Sequence, residues 1–563
     1  MKTNFNIKIG GHAGEGIKVS GLILARSLTR LGFSVFGYSE YPSLIRGGHN
    51  SYQIKASTEK VYSQTKHVDL LIALNQETIT LHQDELASDS LILYDPDEFE
   101  PPKENLKGKL IAINLVKITE NAGGKPIMAN MASLGAILTL LGLPIDSLNE
   151  MIKKEFLRKG AEIVSLNQKI AQAGKDYIKD KFKKDILKTA LPTKKEKRMI
   201  LTGNEAVGLG AIAGGLKAYI AYPMTPSTSI LHFLAAKASE ADILVKHVED
   251  EISAINMSIG ASVAGVRVMT GTSGGGLCLM AEGVTLSGIS ETPLVVVNSM
   301  RPGPGLGMPT WTAQGDLQFV LSIGHDEFPR IVLTPGDAGE AFELTKYSLI
   351  LAEKYQVPVI ILIDKYLSES DYSLKPFAEI HKNERYSLVS KPEKEFKRYK
   401  LTDNGVSKRS VPGQLNGNHC CNSYEHDELG FGIEDSSTRN LMMEKRLSKL
   451  ISMQKDMPIQ PFFGNKEATT KIISWGSNKG PIQEALKSLP KAGFLHLNCL
   501  SPFPKKQVTE FIKGSKKVFC LECNATAQLA SLIKKETGLE VEPLLKYDGR
   551  PFYPEEIIKE FKK

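Results

Sequence analysis

The sequence predicts an α/β protein made of three α/β domains, of which the central one is a doubly wound parallel sheet. The first observation behind this prediction is that short apolar runs alternate with longer helical segments over most of the 563 residues, a pattern typical of parallel α/β folds. The second is the composition, with 42% hydrophobic and 24% charged residues, which is that of a globular protein with room for roughly three to four domains.

The first domain is predicted at residues 1–185. Apolar residues alternate at Phe5, Ile7 and Ile9 as in a strand, a glycine-rich turn follows, and a helix extends to about Leu31. A basic stretch that ends at Arg198 then has the composition of a linker or a solvated helix. Further strands of this domain are predicted at residues 33–38 (FSVFGY), 70–74 (LLIAL), 91–94 (LILY) and 110–113 (LIAI).

The second domain, at residues 199–375, and the third, at residues 469–563, continue the pattern. Between them, residues 376–468 are polar with few strand signals, and connecting segments of this length are usually functional or packed against a partner. The predicted strands lie at residues 243–248, 266–271, 293–298, 330–335 and 358–364 in the second domain, and at residues 471–476, 494–497 and 517–522 in the third.

Charge and cysteine content exclude several classes of protein. The net charge of +7 comes from 70 basic and 63 acidic residues spread along the chain, so no nucleic-acid-binding stripe is expected. The N-terminus lacks an apolar signal core, and no uncharged apolar run is long enough to span a membrane, which predicts a cytoplasmic protein. The six cysteines lie mostly far apart, which favours neither a disulfide framework nor a resident iron–sulfur cluster. No metal site is predicted in this chain.

The glycine-rich start of the chain, GGHAGEG, contains Gly11, Gly14 and Gly16 between a strand and a helix. Such a turn exposes backbone N–H groups at a helix N-terminus and suits an anion or a partner, although a purely structural tight turn explains it equally. Arg46 in YPSLIRGGHNS is a second candidate for anion or partner contact. The glycine order differs from that of a dinucleotide site, and Glu40 is the only acidic candidate for a ribose contact.

The second domain contains a proline-rich loop, AYPMTPSTS, at residues 221–229. Pro223 and Pro226 fix their own backbone angles and restrict the residues before them. Thr225 is therefore expected in a rigid loop after a strand, where its hydroxyl can donate to a ligand. A proline-ordered turn with a capping hydroxyl is the alternative.

The segment HVEDEISAINMSIGAS, at residues 247–262, predicts a helix that begins with acidic residues. Ile252, Ile255 and Ile259 repeat at helical spacing and are expected to face a core. Glu251 beside the first buried turn is a candidate for a partly desolvated carboxylate that shares a proton. The alternative is that these acidic residues only complement the helix dipole.

A glycine-rich segment, TGTSGGGLCLMAEGVTLS, follows at residues 270–287 and allows a close backbone approach before a helix. Together with the proline loop and the acidic helix start, it lies at the end of a strand in one parallel unit. Open α/β sheets bind ligands at the carboxyl ends of their strands, so the three segments together predict a ligand site.

At these residues the sequence resembles the 2-oxoacid:ferredoxin oxidoreductases, in particular an α subunit with the γ domain fused in front, as in the 2-oxoglutarate enzymes. The resemblance covers nearly the whole chain. The matching segments are GGHAGEG, YPSLIRGGHNS, AYPMTPSTS, EDEISAINMSIGAS, GTSGGGLCLMAEG, RPGPGLGMPTWTAQGDL, SYEHDELG, ECNATAQL and YDGRPFYPEEI. The resemblance implies a γ domain, a pyrimidine-binding domain for thiamine diphosphate, a connecting segment, and a C-terminal domain like that of transketolase.

The resemblance also implies an activity and roles for individual residues. The family couples coenzyme A-dependent oxidative decarboxylation of a 2-oxoacid to ferredoxin reduction. It places Glu251 at the aminopyrimidine of thiamine diphosphate, with Tyr222, Pro223 and Thr225 as further cofactor contacts, and it places Thr225 at the substrate. A carboxyl group at the ring nitrogen stabilises the imino tautomer, whose nitrogen can take the proton from the thiazolium carbon.

Two features of the complete enzyme are missing from the sequence. There is no Gly-Asp-Gly followed about 25–30 residues later by Asn, the family's motif for diphosphate and Mg²⁺, and there is no cysteine set for a 4Fe–4S cluster. In split members of the family both lie on the β subunit. The resemblance therefore implies a β-subunit partner that shares the thiamine diphosphate and carries the Mg²⁺ and the cluster.

One departure from the family concerns the substrate. In GMPTWTAQGDL many relatives carry Arg or Lys where this chain has Trp311, and a basic residue there would bind a substrate carboxylate. Arg301 in SMRPGPG is the substitute candidate. The resemblance favours 2-oxoglutarate as the substrate, while branched-chain and aryl 2-oxoacids stay open because Trp311 offers an apolar wall.

Two other functions stay open on the sequence. A NAD-linked Rossmann oxidoreductase would use the first domain, and the order of its glycines counts against that function. A non-catalytic scaffold or partner-binding subunit would leave the three segments of the second domain with structural roles alone.

Overall fold

A computed structural model describes residues 1–44, 47–102, 106–182, 187–193, 196–378 and 384–562. Predicted and observed strands coincide where the sequence has continuous apolar runs. Residues 91–94, 358–364 and 517–522 form strands with the predicted bounds. In chain order the strands are β1 (Asn4–His12), β2 (Ser34–Glu40), β3 (His49–Ser57), β4 (Leu70–Ala73), β5 (Leu91–Tyr94), β6 (Lys109–Ala112), β7 (Met199–Thr202), β8 (Ala218–Ala221), β9 (Leu244–His247), β10 (Val268–Thr272), β11 (Leu294–Met300), β12 (Ile331–Leu333), β13 (Pro358–Asp364), β14 (Asp371–Leu374), β15 (Phe462–Gly464), β16 (Thr470–Trp475), β17 (Gly493–Leu497), β18 (Cys499–Ser501), β19 (Lys517–Glu522) and β20 (Glu542–Leu545).

Helices alternate with the strands through most of the chain, as the sequence predicts. The helices are α1 (Ile17–Arg30), α2 (Gln76–His82), α3 (Leu115–Asn121), α4 (Ala129–Leu140), α5 (Asp146–Phe156), α6 (Ala161–Lys181), α7 (Gly203–Ala213), α8 (Thr228–Ala241), α9 (Glu251–Val263), α10 (Gly275–Leu279), α11 (Ala281–Ile289), α12 (Leu317–Ser322), α13 (Ala338–Tyr355), α14 (Lys365–Glu369), α15 (Ser436–Gln454), α16 (Lys479–Leu486), α17 (Lys505–Ile512), α18 (Gln528–Thr537) and α19 (Pro554–Phe561). Within the described ranges no helix is both long and apolar enough to cross a membrane.

The strands form three sheets, which confirms the α/β class. The first sheet has the order β6-β5-β4-β1-β3-β2-β14-β7. Its strands β6, β5, β4 and β1 run parallel, whereas β3 is antiparallel to both β1 and β2. The second sheet has the order β18-β12-β13-β11-β10-β8-β9, with neighbours from β12 to β9 parallel. The third sheet has the order β15-β17-β16-β19-β20.

Contacts between residues divide the chain into two compact units. The first unit comprises Met1–Leu201, Glu369–Ala378 and Tyr553–Lys563, and the second comprises Thr202–Ser368 and Glu379–Phe552. The second unit contains two of the sheets, because apolar residues of both, such as Ile360 and Trp475, belong to one buried cluster. The domain boundaries given by the sequence stay a prediction.

Strand β14 shows how the first unit recruits a distant segment. It pairs antiparallel with β2, and Oη of Tyr52 donates to Oδ2 of Asp371 at 2.6 Å in the interior. Tyr52 and Asp371 are 319 positions apart in the chain, so sequence pattern gives no signal for the pairing.

The polar connecting segment contains the long helix α15 and packs into the second unit through buried charges. Glu291, fully buried, accepts from Nζ of Lys445 at 2.6 Å and lies 2.5 Å from Nζ of Lys449. Burial alone would raise the pKa of Glu291, but Lys449 and Lys445 lower that pKa far below its usual range. Removal of one partner from such a buried pair leaves a charge uncompensated, so these pairs fix the helix to the unit.

Candidate functional site

Glu251 is the first residue of α9, which follows β9 in the second sheet. The helix begins here because Asp250 caps it, its side chain accepting from N of Ser253 at 2.8 Å. Glu251 is only 3% exposed, and its Oε1 has no hydrogen-bond partner among the described residues. Since a buried polar atom without a partner is costly, this oxygen is suited to a ligand that donates a hydrogen bond to it.

One prediction for α9 is wrong. Ile255 and Ile259 are buried as expected, but Ile252 is 48% exposed. Ile252 lies on the same helix face but in its first turn, where it lines an open cleft with Leu279 and Phe328 instead of packing into the core.

The glycine-rich segment between β10 and α11 makes room for the Glu251 carboxylate. A Cβ atom on Gly276 would overlap Oγ1 of Thr272 and Oε1 of Glu251, and would lie 2.9 Å from Cδ of Glu251. Real Cβ atoms essentially never approach another atom so closely. The absence of a side chain at Gly276 therefore allows Glu251 its buried position.

The proline loop lies between β8 and α8 and is tied to neighbouring segments through its backbone. Nδ2 of Asn204 donates to O of Pro226 at 2.8 Å, and Nη1 of Arg301 donates to O of Thr225 at 2.7 Å. Tyr222, at the start of the loop, is exposed, and its ring lies 6.0 Å from that of His247. The structure thus brings Thr225 and Arg301, two of the predicted site residues, into contact.

Arg301 follows β11 and is 6% exposed. Burial lowers the pKa of its guanidinium, and nearby Asp316 opposes that shift. Burial in turn raises the pKa of Asp316, which accepts from Nδ2 of Asn298 at 2.9 Å. Sequence analysis missed Asp316 and Asn298. The position of Asn298 near the carboxyl end of a predicted strand was the available signal for it.

These segments meet at one edge of the second sheet. The proline loop, the start of α9, the glycine segment and Arg301 follow β8, β9, β10 and β11, which are neighbours in the order β11-β10-β8-β9. The register places Thr272 opposite Asn298 on adjacent parallel strands. A buried carboxylate with an unpartnered oxygen and a buried guanidinium can together exchange a proton with one ligand group and bind an anionic one.

The glycine-rich turn between β1 and α1 lies in the first compact unit. A Cβ on Gly11 would overlap the Glu15 side chain, and Gly14 and Gly16 have φ of 96° and 76°, the left-handed region that favours glycine. Gly14 lines a cavity of about 280 Å³ at this turn, together with Asp95 and Asn130. Arg46, the other predicted anion contact, lies outside the described residues.

Over the part of the chain that the structure describes, no group of three or more His, Cys, Asp or Glu side chains could hold a metal ion. The six cysteines are free thiols, three of them buried.

Comparison with known proteins places this chain in a family. Residues 209–445 match the thiamine diphosphate-binding domain of pyruvate flavodoxin/ferredoxin oxidoreductases, and residues 6–177 match the pyruvate ferredoxin/flavodoxin oxidoreductase domain. The chain is 33% identical to a 2-oxoacid:ferredoxin oxidoreductase subunit alpha from Sulfolobus sp, over 98% of this chain and 95% of that protein. It is 32% identical to the subunit alpha of 2-oxoacid:ferredoxin oxidoreductase 2 from Aeropyrum pernix, over 98% of this chain and 96% of the relative.

A solved structure agrees with these relatives. The 2-oxoglutarate:ferredoxin oxidoreductase from Magnetococcus marinus, determined with 2-oxoglutarate, coenzyme A and succinyl-CoA bound, superposes with a TM-score of 0.94 and 34% identity, covering 100% of this chain and 99% of that one. The chain belongs to the 2-oxoacid:ferredoxin oxidoreductase family.

Proposed function

We propose that the chain is the α subunit of a cytoplasmic enzyme that oxidatively decarboxylates a 2-oxoacid, with 2-oxoglutarate favoured, to its acyl-CoA and CO₂ while reducing ferredoxin. The observation that carries the proposal is the buried Oε1 of Glu251, which has no hydrogen-bond partner in the described part of the chain and lies in the room left by Gly276. The Magnetococcus enzyme supports the choice of substrate, because it binds 2-oxoglutarate and succinyl-CoA.

The residues of the site fit thiamine diphosphate. Glu251 would hold the aminopyrimidine through its unpartnered oxygen, and Tyr222, Pro223 and Thr225 would contact the cofactor from the proline loop. When bound, thiamine diphosphate supplies a thiazolium carbon that adds to the 2-oxo carbon and accepts the electron pair left by CO₂.

The side chains of this unit hold protons and charge for that chemistry. Glu251, which is buried, would share a proton with the ring nitrogen at its Oε1 and so favour the tautomer that can act as a base. Arg301 is buried, and its guanidinium makes one hydrogen bond to a described residue, from Nη1 to O of Thr225. Its remaining N–H groups suit the carboxylate of a 2-oxoacid, which the hydroxyl of Thr225 would also contact.

The partner that completes the site is a β subunit. The sequence lacks both the Gly-Asp-Gly motif for diphosphate and Mg²⁺ and a cysteine set for a 4Fe–4S cluster, so both belong to β in this proposal. The cluster of the β subunit would supply the route for electrons to ferredoxin.

The glycine-rich turn of the first unit is a candidate for contact with an anion or a partner. Gly11 lies near the end of β1, Gly14 and Gly16 lie in the turn between β1 and α1, and Gly14 lines a cavity. Exposed N–H groups at a helix N-terminus favour negative charge. Arg46 is a further candidate for this contact, and the sequence motif that contains it is the support for that role.

The test is reconstitution with the β subunit. We expect the isolated chain to be colourless and inactive, and the αβ complex to bind thiamine diphosphate and reduce a viologen dye only with a 2-oxoacid and coenzyme A. A brown isolated chain with stoichiometric iron and sulfide would contradict the division of labour. A complex that binds no thiamine diphosphate would make this chain a scaffold, and NADH binding measured by calorimetry would favour a dinucleotide enzyme.

A further inference from the structure

The loop after β11 begins at Arg301 and ends at Asp316, directly before α12. Its two ends meet at β11, because Nδ2 of Asn298 donates to Oδ2 of Asp316 at 2.9 Å. Asn298 is a residue of β11 and lies three positions before Arg301 in the chain. The folding of the loop therefore brings the Asp316 carboxylate back to the strand end that carries Arg301.

This strand end is continuous with the room around Glu251. Asn298 lies beside Thr272 on the adjacent parallel strand β10, and a Cβ atom on Gly276 would overlap both Oγ1 of Thr272 and Oε1 of Glu251. Oδ1 of Asn298 is buried and has no hydrogen-bond partner among the residues that the structure describes. Since a buried acceptor without a partner is costly, a ligand group at this end of the sheet can supply one.

Arg301 and Asp316 influence each other by charge, without a hydrogen bond between the two side chains. Burial lowers the pKa of the guanidinium, and the charge of Asp316 opposes that fall. Burial raises the pKa of the Asp316 carboxyl group, and the bond from Asn298 and the charge of Arg301 oppose that rise. Nη1 of Arg301 donates to O of Thr225 at 2.7 Å. Arg301 thus has a nearby counter-charge that leaves its N–H groups available to an anion.

A nearby carboxylate matters because loss of CO₂ removes the negative charge that the guanidinium has bound. A buried cation without a counter-charge is costly, so Arg301 alone would be destabilised in every turnover. An arginine that binds the substrate carboxylate too tightly also stabilises the ground state, which lowers KM without raising kcat. A fixed negative charge beside the guanidinium reduces both effects, since it weakens the attraction for a second anion and remains after that anion has gone.

We propose that Asp316 is a positioning residue that acts through Arg301, as the counter-ion with which the carboxylate of the 2-oxoacid competes for the guanidinium. The inference rests on the proposed function and deepens it, because that function assigns Arg301 to the substrate carboxylate. Asp316 pairs with Arg301 by charge before the substrate binds and after CO₂ has left. It thereby limits how tightly the substrate is held.

The test removes the charge of Asp316 and keeps its shape. Asp316→Asn in the complete αβ complex is assayed with 2-oxoglutarate, and calorimetry measures its affinity for glutarate, which has two carboxylates but no 2-oxo group to react. We expect KM and the Kd of glutarate to fall about tenfold, since a neighbouring charge changes an ionic equilibrium by about that factor or more. The kcat should fall as well, because the ground state is stabilised more than the transition state.

Two further variants show whether the effect depends on Arg301. Asp403→Asn, at an exposed position of the same unit, removes the same charge and should leave KM, kcat and the Kd of glutarate at wild-type values. In an Arg301→Ala background, Asp316→Asn should change KM by less than about twofold, because the group on which Asp316 acts is gone. A tenfold fall in KM in that background would show that Asp316 does not act through Arg301, and would overturn the inference.

The direction of the change in KM separates the inference from a structural role. A rise in KM would make Asp316 a support for the loop, and an unchanged KM would remove it from the substrate site; either result leaves the proposed function standing. If Asp316→Asn does not assemble with the β subunit, Asp316→Ser, which is also neutral, decides by the same criteria. A wild-type complex that turns over no 2-oxoacid at all would instead refute the proposed function.

Discussion

A Cβ atom on Gly276 would overlap Oε1 of Glu251, so the backbone of one segment defines where the carboxylate of another can lie. The two residues follow different strands, and their contact links the glycine segment to the start of α9. The carboxylate is thereby held in one place, and one of its oxygens has no hydrogen-bond partner among the residues that the structure describes. A carboxylate that binds a cofactor needs a fixed position and an oxygen that is available to accept a hydrogen bond, and Glu251 has both.

Gly276→Ala should displace the Glu251 carboxylate and reduce turnover of the αβ complex by roughly the 10²–10⁴-fold that a general acid–base group contributes. Overpacking also costs roughly 1–3 kcal/mol of unfolding free energy, so the folded fraction is checked by circular dichroism. Gly260→Ala is the control, because it lies in α9 with no atom within 4 Å of the new Cβ. Full activity in Gly276→Ala would show that turnover does not depend on the position of the Glu251 carboxylate.

Glu251→Gln should fold and yet slow proton–deuteron exchange at the thiazolium carbon by about 10²–10⁴-fold in the reconstituted complex, because the shareable proton is lost. If Glu251 only complements the helix dipole, the change costs about 0.3–1 kcal/mol of stability and leaves exchange intact. Glu249→Gln, two residues earlier and exposed, is the control. A larger defect in Glu249→Gln would show that the wrong carboxylate has been assigned.

Arg301→Ala should raise KM for the 2-oxoacid about ten- to hundredfold, since a charged hydrogen bond is worth about 1.5–3 kcal/mol. The change also removes the bond to O of Thr225, so thiamine diphosphate affinity is measured by calorimetry to separate disorder of the loop from loss of substrate contact. Arg301→Lys keeps the charge and should recover part of the loss. An unchanged KM for every 2-oxoacid tested would exclude Arg301 from the substrate site.

Acid should destabilise the first unit through His49. Burial, followed by the neighbouring charges of His82, Lys8 and His12, lowers the pKa of His49 from 6.5 to about 4. Between these values the unfolded chain binds a proton that the folded chain does not, so stability falls as the pH falls through this window. His49→Gln should lose less thermal stability than wild type between about pH 7 and about pH 5.

The control for that prediction is His325→Gln, at an exposed position of the second unit. Its unfolding midpoint should follow that of wild type at both pH values. If the unfolding midpoints of wild type and His49→Gln fall by the same amount between the two pH values, His49 binds protons equally in the folded and the unfolded chain.

Local pattern determined most of the secondary structure. Strands β5, β13 and β19 are mainly apolar runs. A strand that is buried on both faces has apolar residues at successive positions, so its bounds can be read from the sequence without knowing which strands it pairs with. Helix α9 could be placed because acidic residues precede apolar ones at helical spacing. Helix α15 was missed, since its buried Lys445 and Lys449 are stabilised by Glu291, more than 150 positions away.

The sequence by itself determined the family, the α/β class and the segments that carry the site, because glycine, proline and acidic residues at strand ends are local signals. Only the tertiary structure decided which of these residues touch. The bond from Arg301 to Thr225 spans 76 positions and that from Asn298 to Asp316 spans 18. The stack of Arg550 on Trp311 joins the loop after β11 to the segment after β20. Such contacts depend on strand order and loop path, which follow from the packing of the whole chain and leave no periodic trace in the sequence.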